Sequence, residues 1–168
     1  MHLFSKRTIQ QAKLNNLAAS WAQEGWQALT DRVLAWHRHP QPIPVEAGGW
    51  IHNYICPEHW LPLEYDGQMP QTHICPAGHA CQGEKYDAAW RVWRHRQLSD
   101  LAREAALAFV VLDLPEGRET AVSILHQYAN FYQQFDGLSD AEPWMLKGHA
   151  FNQALTEALW AMPLIHAY

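Results

Sequence analysis

The sequence predicts a mainly α fold of antiparallel helices with a small β-hairpin, zinc-ribbon-like insert. Three observations lead there. Apolar residues recur at spacings of three and four on both sides of the chain's middle. Residues 40–83 break that pattern with Pro, Gly and short β-like runs. All three Cys lie inside that break, between Cys56 and Cys81.

Residues 5–39 read as helical. Leu14, Leu17, Ala18 and Trp21, then Trp26, Leu29, Val33 and Trp36, keep the helical spacing. Gly25 is the expected bend between two helices. Pro40, Pro42 and Pro44, followed by Gly48-Gly49, end the helical stretch and open an insert over residues 50–83. Trp50–Ile55, Leu61–Tyr65 and Thr72–Cys75 are the strand candidates, with Asp66-Gly67 as a hairpin turn between the second and third. So few apolar residues make a weak core, and the insert would gain from a staple.

Helix returns over residues 84–168. Leu98, Leu101, Ala105, Phe109 and Leu112 form one stripe, which Asp113 to Gly117, with Pro115, should end. Ile124, Tyr128, Phe131 and Phe135 form the next, Asp136–Pro143 reads as a loop, and Phe151, Leu155, Leu159 and Met162 give a third. Short loops favour antiparallel neighbours. From Ala158 to Tyr168 the chain is apolar on nearly all sides, with no Gly or basic last turn. Such a helix is expected to be buried in something larger, as where a bigger fold would continue; the alternative is a helix that docks on its own domain or on a dimer partner.

At 168 residues the chain is one domain's worth, read as a single N-terminal helical domain over 1–168. The balance of 12 Lys+Arg against 17 Asp+Glu gives a net charge of −5, against the basic excess of a nucleic-acid or membrane-surface binder. No stretch reaches the length of a membrane span. Lys6 and Arg7 are not followed by an apolar run, so no signal peptide is read and the cytoplasm is the expected compartment.

Cys56-Pro57-Glu58-His59 is a Cys-x2-His pair, and Cys75-Pro76-Ala77-Gly78-His79 follows it, with Cys81 beyond and His73 before. Short-spaced soft or borderline donors on two turns are what a tetrahedral zinc requires. The expected ligands are Cys56, His59 and Cys75, with His79, His73 or Cys81 as the fourth. Four protein donors make a structural, closed site rather than a catalytic one.

Between Lys85 and Arg103 lie five Lys/Arg against two Asp, a local basic excess in an acidic chain. On a helix, Tyr86, Trp90 and Arg94 share one face, and Asp87, Arg91 and His95 another. Such a face can stack a sugar ring and pair its carboxylate or sulfate through Arg. The alternative is Trp90 and Trp93 in the core with the Arg residues solvated.

Gly48-Gly49-Trp50, the two Cys-Pro segments, Gly83-Glu84-Lys85-Tyr86-Asp87-Ala88-Ala89-Trp90-Arg91, and the late run Gln153 to Trp160 together resemble the N-terminal region of heparinase II/III-like proteins. The resemblance spans essentially the whole chain, and Tyr-Asp-Ala-Ala-Trp-Arg is its most specific part. It departs at Gly78, where a Cys or Asp would be expected. It implies part of an incomplete (α/α) toroid within a polysaccharide lyase that acts by β-elimination on uronic-acid glycans. The catalytic Asn/His segments of such lyases have no counterpart here, so no catalytic residue carries over. The implied role is binding of an acidic polysaccharide, with Tyr86, Trp90, Arg91, Gln153 and Glu157 on one wall of the groove. Two other readings stand beside it: a zinc-stabilised interaction domain that docks through its apolar C-terminal helix, and a complete enzyme using His52, Tyr54 or His149.

Overall fold

The computed structural model describes residues 4–135, 146 and 148–168. The fold is mainly helical, with one two-stranded antiparallel sheet. In chain order the elements are α1 (Lys6–Ala18), α2 (Ser20–Arg38), β1 (His73–Ile74), β2 (Ala80–Cys81), α3 (Glu84–Leu112), α4 (Pro115–Phe131) and α5 (Ala154–Ala167). No helix among the described residues is long and apolar enough to cross a membrane. The Asp136–Pro143 loop expected from the sequence lies outside the described residues.

Two compact units make up the chain. The first comprises Met1–Ile43, Leu98–Ala129 and Met162–Tyr168; the second comprises Pro44–Gln97 and Asn130–Ala161.

In the first unit, Ser5 caps α1 by accepting the backbone N–H of Thr8 at 3.1 Å. The break between the first two helices falls at Ala19, which is extended at φ −127°, and not at Gly25. Gly25 lies inside α2 with open space around its Cα, so the helix absorbs it at only a propensity cost of about 1 kcal/mol. Ala22, Leu29 and Val33 are buried on α2, whereas Leu14, Leu17 and Trp21 are exposed. Leu98, Leu101, Ala102, Ala105, Ala108 and Val111 form the buried stripe of α3 in this unit, and Ala121, Ile124 and Tyr128 that of α4. Arg32 bonds Glu104 through Nε and Nη2 at 3.0 and 2.9 Å, a bidentate pair between α2 and α3.

The turn from α3 to α4 falls where the sequence predicts. Asp113 takes a left-handed φ of 56°, which Asp tolerates better than most residues. Pro115 then opens α4, where a missing N–H costs nothing.

In the second unit the insert is held together more by turns than by strands. Of the expected strands, Trp50–Ile55 contains instead a 3-10 turn over Ile51–Asn53, with a single bridge from Ile55 to Pro62. Leu61–Tyr65 makes only that bridge and one from Glu64 to Ile74. The Asp66-Gly67 turn is present, closed by Asp66 Oδ1 accepting the Gln68 N–H at 2.8 Å. The one hairpin pairs His73 with Cys81 and Ile74 with Ala80. Its second strand lay outside the expected runs.

α5 also turns its faces contrary to the stripe read from sequence. Leu155, Leu159 and Met162 are exposed, while Thr156, Trp160 and Leu164 are buried. Phe151 is fully buried, but it precedes the helix.

Candidate metal centre

The second unit gathers the Cys/His donors onto two tight turns. In the first, the Cys56 N–H donates to Leu61 O at 2.8 Å and the Trp60 N–H to Cys56 O at 2.9 Å, with Trp60 at a left-handed φ of 56°. In the second, the Cys75 N–H donates to His79 O at 3.0 Å and the Gly78 N–H to Cys75 O at 2.8 Å. Gly78 sits at φ 83° with open space around it, so glycine serves the turn through its backbone freedom. Gly78 thus has a local reason to be Gly.

These turns bring three thiols and two imidazoles together. Cys56 Sγ lies 3.6 Å from His59 Nδ1 and 3.2 Å from His79 Nδ1. Cys75 Sγ lies 3.5 Å from His59 Nδ1, and Cys81 Sγ 3.7 Å from His79 Nδ1. The donors form two triads that share Cys56: Cys56, His59 and Cys75 in one, and Cys56, His79 and Cys81 in the other. All three cysteines are buried and unpaired by disulfides. The three expected ligands Cys56, His59 and Cys75 are therefore together, two of the candidates for the fourth, His79 and Cys81, join them through Cys56, and these groups could hold a metal ion.

His73, the remaining candidate, faces elsewhere. Its Nδ1 meets the Tyr54 hydroxyl at 3.0 Å and its Nε2 the Asp87 carboxylate at 2.9 Å, with His73 and Tyr54 buried. Both ring nitrogens are engaged, so His73 orders the start of α3 against the insert.

The electrostatics favour a thiolate. Burial pushes the Cys56 thiol up, but the backbone N–H groups of His59 and Glu58 and the side chains of His79 and His59 outweigh it and bring it to about 6. His79 is raised, first by its hydrogen bond to Cys56 and further by Glu58. Cys81 is pushed up by burial and by the neighbouring Cys56 thiol, and Tyr86, whose hydroxyl bonds Cys81, is raised by burial and then by Cys81.

The residues read as a sugar-binding wall make the following contacts within the chain. Tyr86 packs on the core under the Cys cluster. Trp90 is buried, and its indole N–H donates to Asp66 O at 2.7 Å. Arg94, on the same helix face, is buried and bonds Gln97 at 2.8 Å, so that face carries the insert. Arg91 donates from Nε to Ala47 O at 2.9 Å and pairs with Glu84. Gln153 accepts from the Thr156 hydroxyl at 3.4 Å. Glu157 accepts the Tyr132 hydroxyl at 2.6 Å and the N–H groups of His149 and Ala150.

The histidines and tyrosine of the complete-enzyme reading each have a different aromatic neighbour. His52 packs on Trp50, Tyr54 is bound to His73, and His149 packs on Tyr132. No protein-family model matches the chain, and no curated protein or solved structure matches it.

Proposed function

We propose that this chain is a zinc-stapled helical module of a heparinase II/III-like polysaccharide lyase, contributing structure and acidic-glycan binding rather than catalysis. The set of sulfur–nitrogen separations in the Cys/His cluster carries the zinc part. A thiolate about 2.3 Å and an imidazole nitrogen about 2.0–2.1 Å from a tetrahedral zinc stand about 3.6 Å apart. The four separations here run from 3.2 to 3.7 Å. Hydrogen bonds alone account for them poorly. Each imidazole Nδ1 has one lone pair, so two nitrogens accept two thiol protons, and two of the four close contacts remain to be explained. A metal held by Cys56, His59, Cys75 and His79 makes three of the contacts edges of one coordination shell, with Cys81 beside it.

Cys56, His59, Cys75 and His79 would hold the ion, with Cys81 on the same cluster as a further thiol. Four protein donors leave no position for substrate, so zinc supplies folding energy there. The insert fits that need, since its only strands are two residues long. The lyase part, with its toroid, rests on the sequence resemblance.

Elemental analysis of purified protein tests the metal. About one zinc per chain is expected, and metal-free protein with an intact fold overturns the reading. Incubation with heparan sulfate or alginate tests the rest: weak binding without ultraviolet-absorbing unsaturated uronides is expected, and turnover overturns the non-catalytic assignment.

A second reading has its own observation. Leu155, Leu159, Met162, Ile165 and Tyr168 are all exposed along α5 and its end. That stripe suits docking on a second copy of the chain. Sedimentation should then show a dimer that Ile165→Glu dissociates, and a monomer at all concentrations overturns it.

A further inference from the structure

Both imidazoles of the cluster are used in the same way. His59 and His79 each turn Nδ1 toward the thiols, and their rings stand 6.0 Å apart at 72°. On the far side of both rings lies one side chain, Glu58. Its Oε2 is 3.2 Å from His79 Nε2 and its Oε1 is 4.0 Å from His59 Nε2. The backbone N–H of the same residue bonds the Cys56 thiol.

We propose that Glu58 is the shared positioning carboxylate of the centre, accepting from Nε2–H of His79 and drawing His59 Nε2–H toward it from 4.0 Å, and so holding each Nδ1 lone pair on the metal side. This rests on the zinc reading above. The reason is general: a neutral imidazole has one N–H and one lone pair on opposite parts of the ring. An acceptor at Nε2 selects the tautomer whose Nδ1 is free to bind and fixes the ring's direction. Glu58 reaches both rings because it sits between Cys56 and His59 in the first turn, and His79 is brought opposite by the second. Its exposed carboxylate keeps its charge in water at little cost, and the shorter contact makes His79 the ring it governs more strongly.

The same three groups, Glu58, His59 and His79, also lie close enough together to suggest a separate ion on their outer side. The inference assigns those Nε2 atoms to the carboxylate instead.

Competition for zinc against a chromophoric chelator tests this on wild type, Glu58→Ala and Glu58→Gln. E58A should bind zinc about 10–100-fold more weakly. E58Q, whose amide oxygen still accepts, should recover most of that loss. Long-range proton–nitrogen NMR of the zinc-loaded wild type should show Nε2–H on His79, with that signature lost in E58A. Equal affinity of E58A and wild type, coordination through Nε2, or two zincs per chain each overturn the role of Glu58 and leave the single structural site or its failure to be read from the wild type. Wild type that takes up no zinc overturns the metal reading and this one with it.

Discussion

Cys56 Sγ and His79 Nδ1, twenty-three residues apart in sequence, stand 3.2 Å from one another. Each belongs to a different turn of the insert, so the contact ties the two turns together. The contact helps lower the Cys56 thiol to about 6 and raises the His79 imidazole, and zinc, which needs a thiolate and a free imidazole nitrogen, competes with protons at both. Chelation should therefore loosen the insert. Zinc at about a thousand times its Kd adds about 4 kcal/mol, or roughly 10 °C in Tm for a chain of this size. Cys56→Ser should abolish the zinc-dependent rise, because Cys56 is in both donor triads. Calorimetry with and without zinc checks it; an unchanged rise in C56S contradicts the shared role of Cys56.

Glu157 gathers three donors at one carboxylate: the Tyr132 hydroxyl at 2.6 Å, the Ala150 N–H at 2.9 Å and the His149 N–H. The bond to Glu157, then burial, push the Tyr132 hydroxyl up to about 12. Glu157→Ala should cost about 1–3 kcal/mol, since Ala150 is buried and its N–H would lose its partner. Glu157→Gln keeps one acceptor oxygen and should cost less. Urea midpoints of the two variants give the comparison; equal midpoints for wild type and E157A would show that water replaces the carboxylate without loss.

Much of the helical layout can be read from the sequence because apolar spacing and Pro115 are local signals. The direction of a helix face is not local. Tyr86, Trp90 and Arg94 share a face as expected, but Trp90 and Arg94 are buried by the insert, whose position depends on long-range contacts. Four metal donors follow from residue type and spacing. Cys81 is adopted because the hairpin places it opposite His73, a register that residue spacing alone does not fix. His73 is excluded by its partners: both ring nitrogens are taken, by the Tyr54 hydroxyl and the Asp87 carboxylate, which its place in the sequence does not reveal. The α1–α2 break at Ala19 had no Gly or Pro to mark it.

Gly117 makes a close approach of α4 to α3. A Cβ there would lie 2.5 Å from Ala105 O and 3.0 Å from Phe109 N, both backbone atoms of α3. Alanine is the better helix former by about 1 kcal/mol. Steric cost should win, because two helix backbones must separate, and overpacking of this kind costs about 1–3 kcal/mol. Gly117→Ala is therefore expected to lower stability, whereas Gly25→Ala, with open space at that Cα, should raise it. Thermal melts of the two single variants have opposite signs in this account, and a stabilising G117A would show that α4 can shift freely.

His95 gives the fold an acid limit. It is fully buried among Phe135, Phe151 and Trp160, with its Nε2 3.3 Å from Glu46 O. Burial lowers it from 6.5 to about 4, and the nearby Arg91 and Arg94 charges act in the same direction against the bond to Glu46. The folded value lies below the unfolded one, so between them the unfolded chain binds the extra proton. Stability from this residue is thus intact above pH 6.5 and is lost as pH falls toward 4, by on the order of 3 kcal/mol. Below that the native imidazole is itself protonated and the loss levels off. His95→Phe keeps an aromatic ring in the cage and removes the titration, so its stability should fall less than the wild type's across the same window. Urea unfolding at pH 7.5, 6, 5 and about 4 decides it: parallel curves for wild type and H95F would place the acid sensitivity elsewhere, with the carboxylates as the remaining source.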